Sequence, residues 1–114
     1  MEDITITTVL AWLLATFFLF GTAVNLRMPE NVRQDYARWG YPGWFHYVTA
    51  VLELATAIML LFPVARPLGA LLGIGIMAAA AGTVLIHREY KHAVLPSLIF
   101  FLLGLLWWMV VWAS

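Results

Sequence analysis

Residues 47–62 read YVTAVLELATAIMLLF, an apolar run with the length of a membrane helix and a carboxylate, Glu53, near its middle. If this run is a span, the chain is an integral membrane protein whose acid lies at bilayer depth. The composition supports that reading. Hydrophobic residues make up 64% of the 114 positions and charged residues 11%, whereas soluble chains carry about 25% Asp, Glu, Lys and Arg. The charges gather at 2–3, 27–38 and 88–91, with Glu53 and Arg66 outside those clusters.

Crossing a bilayer takes roughly 20 apolar residues in a helix. Four segments reach that length: 4–26, 44–62, 67–86 and 94–113. PVARP at 63–67 is short enough to force an antiparallel hairpin between the second and third spans, and its prolines suit a helix end and a helix start. Helices satisfy their own backbone polar groups in lipid and open strands do not. The expected fold is an all-α integral membrane protein: one domain, 1–114, forming an antiparallel four-transmembrane-helix bundle. The N-terminus, MEDITITT, is acidic, so the first span is expected to stay in place of being cleaved as a signal peptide.

Basic residues in short loops set orientation. Arg27, Arg33, Arg38, Arg88 and Lys91 lie on one side and Arg66 on the other, with Glu2 and Asp3 at the N-terminus. Both termini are therefore expected outside, with the 27–43 and 87–93 loops in the cytoplasm. Within 27–43, Val32, Tyr36 and Trp39 recur at helical spacing between polar residues. Gly40 and Pro42 then stop the pattern. This predicts a short amphipathic helix in the interface, with Trp39, Tyr41 and Trp44 at headgroup depth, as a plain anchor or as a gate over a pocket. Trp107, Trp108 and Trp112 read as an aromatic belt on the far side.

Small and weakly polar residues mark helix interfaces in membranes. On the face of Glu53 lie His46, Thr49, Ala50, Thr56 and Ala57, and the first span carries a matching stripe of Thr8, Ala11, Ala15, Phe18, Thr22 and Asn25. The third span has Gly69-xxx-Gly73 and MAAAAG, which permit close packing. Glu53 is thus expected to face the bundle interior. No span supplies a Lys or Arg at mid-depth, and desolvation favours the neutral acid. Glu53 should be protonated, or ionised only beside water or a cationic ligand.

Three roles stay open for it: a protonated interhelical donor, an anchor for the polar end of an apolar ligand, or a catalytic acid or base. Zero net charge gives no reason to expect nucleic acid, and the absence of cysteine removes thiolate chemistry. His87 and His92 in HREYKH are five apart and do not share a helix face, so no metal site is expected. His46 could relay protons toward Glu53 or bond headgroups. No cofactor is indicated.

FLFGTAVNL (18–26), GYPGWF (40–45), VLEL (51–54) and IMAAAAGTVLIH (76–87) together resemble the DoxX-like family over most of residues 10–110. Gly21, Gly40, Pro42 and Glu53 match best. Many members have a lysine where this chain has Asn25, so a charged pair with the glutamate becomes a neutral hydrogen bond here. The resemblance implies four transmembrane helices. It leaves activity open, since relatives include subunits associated with thiosulfate:quinone oxidoreduction, partners in bacterial redox-stress complexes and a eukaryotic receptor-assembly chaperone.

The leading expectation is a bacterial inner-membrane protein that holds a quinone- or isoprenoid-like ligand in a four-helix pocket, accessory to membrane redox metabolism. Its ligand residues would be Glu53, Asn25, Thr22, His46, Thr49 and Thr56. The alternatives are a homodimer or assembly partner acting through the Gly/Ala face of the third span, and an acid–base isomerase or cyclase using Glu53.

Overall fold

The computed structural model describes residues 5–113. Glu2, Asp3 and Ile4, and the last position of the 1–114 domain, lie outside the described residues. The chain forms α1 (Ile6–Arg27), α2 (Glu30–Arg38), α3 (Phe45–Leu61), α4 (Arg66–Ile86), a 3-10 turn at Tyr90–Ala93, α5 (Val94–Trp108) and a closing π turn at Met109–Ala113. α1, α3, α4 and α5 pack in sequence around a common core, while α2 caps one end.

Three stretches are long and apolar enough to cross a membrane: Ile6–Arg27, Arg66–Ile86 and Tyr90–Trp112. α3 is shorter, at 17 residues, which is the lower end of the spanning range. It stops at Leu61 because Phe62 turns to extended backbone ahead of Pro63. Arg66, the first residue of α4, is buried. Its Nε donates to the Leu60 carbonyl at 2.8 Å, a cation at the negative end of α3.

The small-residue stripes face inward. All six stripe residues of α1 are buried, as are Ala50, Glu53, Thr56 and Ala57 of α3, while His46 and Thr49 are half-buried nearer the α2 end. Val48, Val51, Ile58 and Phe62 of α3 point outward, the arrangement lipid requires. The GxxxG of α4 is spent inside the bundle. A Cβ on Gly69 would stand 2.8 Å from the Met59 Cβ, and one on Gly73 would stand 3.0 Å from Leu103 and 3.2 Å from Phe18. These two glycines therefore offer no face to a partner.

Two helix ends shape the capped end of the bundle. α2 finishes in a Schellman motif: Gly40 N–H bonds Ala37 O and Tyr41 N–H bonds Tyr36 O, both at 3.1 Å. The motif needs a left-handed residue, and Gly40 supplies φ +84°. α4 finishes the same way, with Arg88 N–H on Leu85 O at 3.0 Å and Glu89 N–H on Val84 O at 2.8 Å. There the left-handed residue is Arg88, at φ 60°. The first turn folds Tyr41 back over Tyr36, and the second points Glu89 at α2.

Candidate functional site

Glu53 is 6% exposed and sits against α1. Gly21 makes room for it, since a Cβ there would lie 2.5 Å from Oε2. Asn25, one turn further along α1, donates from Nδ2 to Glu53 Oε1 at 2.8 Å and to Gly21 O at 3.0 Å. With both amide protons engaged, Asn25 Oδ1 must accept, and Tyr36 donates its hydroxyl to it at 2.6 Å. Burial pushes the Tyr36 phenol above its ordinary pKa, which keeps that proton in place. Asn25 thus joins the core acid to the capping helix.

This bonding fixes the roles of the two carboxylate oxygens. Oε1 accepts from an amide that can only donate, so a proton on Glu53 belongs to Oε2. Every fully enclosed polar side-chain atom among the described residues has a partner. Oε2 has no hydrogen bond to any described residue, so it is not fully enclosed, and Glu53 is among the residues that line a cavity.

That cavity is ≈ 310 Å³. Glu53, Asn25 and Thr49 are among its polar lining residues, and Tyr36, Trp39, Tyr41 and Phe45 give it an aromatic wall. The rings form one connected group. Tyr41 stacks on Phe45 with centroids 4.5 Å apart, and Tyr36 meets Trp39, Tyr41 and Phe45 edge-on at 5.9, 5.9 and 6.2 Å. Ile76, Met77 and Ala80 of α4 add apolar lining, with His92 and Pro96 also present. Tyr41 Oη lies 2.5 Å from Thr83 Oγ1. The Thr83 proton goes to Ala79 O at 2.9 Å, so Tyr41 is the donor of that pair.

The aromatic wall is latched to the α4–α5 connection. Arg38 makes a two-pronged contact with Glu89, Nε to Oε2 at 3.0 Å and an Nη to Oε1 at 2.7 Å, and the Trp39 indole N–H adds a third bond at 3.0 Å. Asp35 holds the same guanidinium at 3.0 Å. Arg38, then Trp39, hold the Glu89 carboxyl down to about 2, and Glu89 in return raises the Arg38 guanidinium.

The six ligand residues named from sequence separate into groups. Glu53, Asn25 and Thr49 line the cavity. Thr22 and Thr56 do not; they donate to Phe18 O and Leu52 O within their own helices, at 2.8 and 2.9 Å. His46 bonds the Asn25 backbone carbonyl at 2.6 Å and lines a smaller hollow under α2 instead. It touches the residue that holds Glu53 without touching Glu53. The rings of Tyr36, Tyr41 and Phe45 were not singled out as lining residues. The spacing of Val32, Tyr36 and Trp39 marks α2 as amphipathic, and Tyr36 and Trp39 of that face line the cavity.

Among the described residues, no group of three or more His, Cys, Asp or Glu could hold a metal ion.

Apolar helices of spanning length and an interior acid behind an aromatic cap define an all-α integral membrane protein in contact with the lipid bilayer. Residues 9–107 match the DoxX-like family, and the chain belongs to it. No curated protein and no solved structure matches the chain.

Proposed function

We propose that this protein holds a lipophilic small molecule, quinone- or isoprenoid-like in shape, with its polar end against Glu53. The observation that carries the reading is the cavity: ≈ 310 Å³, walled by rings and aliphatic side chains, with one acid among its described lining residues. Apolar pockets with a few converging polar groups are the usual form of a ligand site, and this volume lies at the small end of their range. It suits a head group. A longer tail would continue between the helices into lipid, where it costs nothing to solvate.

α2 closes the site as a lid, with Glu89 as its catch. On this reading the lid faces the cytoplasm from a bacterial inner membrane, which the basic residues of its loops support. A holding or delivery role accessory to membrane redox metabolism is compatible with such a pocket. Within hydrogen-bond reach of Glu53 the described residues provide Asn25 alone, which cannot exchange a proton at neutral pH. The geometry therefore favours binding over acid–base turnover.

The test is extraction and mass spectrometry of what co-purifies in mild detergent, for the wild type beside Glu53→Gln. A stoichiometric lipophilic species, lost in the variant, supports the reading. Bulk phospholipid alone, the same in both, overturns it and favours an assembly role.

A further inference from the structure

The polar bonding around the cavity limits what its occupant can be. Nearly every side-chain proton on the lining is already committed. Asn25 gives both amide protons to Glu53 Oε1 and Gly21 O, Tyr36 gives its hydroxyl to Asn25, and Tyr41 gives its own to Thr83. Thr49 and Thr83 donate to the carbonyls of Phe45 and Ala79, and the Trp39 indole donates to Glu89. What remains for a guest is largely acceptor capacity, Glu53 Oε2 and the Tyr41 phenol oxygen, since Thr49 also engages the Tyr36 oxygen; the His92 ring is the one uncommitted donor. Among the described lining residues there is one acid and no Lys or Arg, with His92 the single cationic candidate. Four aromatic rings complete the wall.

We infer that the pocket takes lipophilic amines in their protonated, cationic form, with Glu53 as counter-ion and the Tyr36, Tyr41 and Phe45 rings around the nitrogen. The inference rests on the ligand-holding reading above and assigns the head group. An acid with free acceptor capacity, no competing fixed cation and several ring faces is the chemistry that recognises ammonium groups. It also answers the cost of a carboxylate at this depth, because the ligand brings the compensating charge. An anionic head would meet Glu53, with the His92 ring as the one uncommitted donor among the described lining residues. A neutral carbonyl could bond only that ring or a proton on Oε2. When Glu53 starts protonated, arrival of a protonated amine from water expels that proton: the O–H bond at Oε2 breaks, an N–H···O contact replaces it, and one proton leaves per ligand bound.

The experiment uses the full chain in nanodiscs and three probes of one shape, phenylbutylamine, phenylbutanol and phenylbutanoate, with binding followed by ligand NMR and proton release by an indicator dye. Expected is amine binding about ten-fold or more tighter than the alcohol, no detectable carboxylate binding, and proton release on amine addition only. Glu53→Gln should bring the amine down to the alcohol's affinity. Tyr41→Leu, which keeps the acid, should weaken the amine several-fold more than the alcohol. Equal binding of amine and alcohol, both dependent on Glu53, overturns the cationic assignment and leaves the ligand-holding reading standing. If none of the three binds, both fall. Should Glu53→Gln fail to fold, the charge series on the wild type and Tyr41→Leu decide the matter.

Discussion

Gly21 and Glu53 share one space: a single added carbon on the glycine would stand 2.5 Å from the Oε2 of the acid. Gly21→Ala must therefore push the carboxylate off Asn25 or push α1 and α3 apart. Either motion disturbs the lining of the cavity, while alanine itself favours helix by about 1 kcal/mol. The expected outcome is loss of any Glu53-dependent ligand with a change in melting temperature of only a few degrees. Co-purification and a thermal melt on the same sample check both halves.

Asn25→Leu removes the group that satisfies both Glu53 Oε1 and the Tyr36 hydroxyl. Leaving buried polar groups without partners costs about 1–3 kcal/mol each. The variant should be markedly less stable in detergent than Tyr36→Phe, which removes one hydroxyl and leaves Oε1 bonded. Equal melting temperatures would show that Asn25 does not join the two.

Glu89→Gln should free the lid. The variant loses the charge-assisted pair with Arg38, and α2 should gain hydrogen exchange while the four long helices keep theirs. Acid gives the same result without mutation. The Glu89 carboxyl is lowered from 4.5 to about 2 when folded, so its contribution is complete above its ordinary range. That contribution fades as pH falls through about 2. Protection of α2 that is already lost at neutral pH in the wild type would contradict the latch.

Gly73→Leu and Gly75→Leu should behave oppositely. Gly73 faces Leu103 and Phe18 inside the bundle, whereas nothing lies within 4 Å of a Cβ on Gly75. Overpacking typically costs 1–3 kcal/mol, sometimes more. The first variant should melt well below wild type and the second close to it.

Arg88→Gly should stabilise. Arg88 holds φ 60°, where a side chain costs roughly 1–2 kcal/mol and glycine costs little. A higher melting temperature with unchanged α2 protection is the expected pair of results.

Much of this was legible in the sequence because lipid inverts the usual pattern. Small residues rather than large ones mark the interior, so the stripe from Thr8 to Asn25 and the face of Glu53 could be read directly. The limits came from side chains that bond locally. Thr22 and Thr56 occupy the same stripes as Glu53, yet their hydroxyls turn back to their own helices, a choice that spacing does not reveal. Trp39 and Tyr41, expected at headgroup depth, line the cavity together with Tyr36: amphipathic spacing tells which residues share a face and not what that face meets. The fold over the cavity depends on Gly40 and on Arg88, and a left-handed arginine carries no sequence signal of the kind glycine does.

The paired Schellman turns imply that loop length, more than loop composition, governs tolerance to change at this end of the molecule. Each turn counts residues from a fixed helix end, so Tyr41 and Glu89 occupy their positions by register. Many substitutions in 27–43 or 87–93 could pass unnoticed. One inserted or deleted residue between Tyr36 and Tyr41, or between Val84 and Glu89, would instead rotate a wall or a catch out of place. Outside the wall and latch residues Tyr36, Arg38, Trp39, Tyr41 and Glu89, natural variation and engineering alike should find these two loops permissive to exchange and intolerant of a single gap.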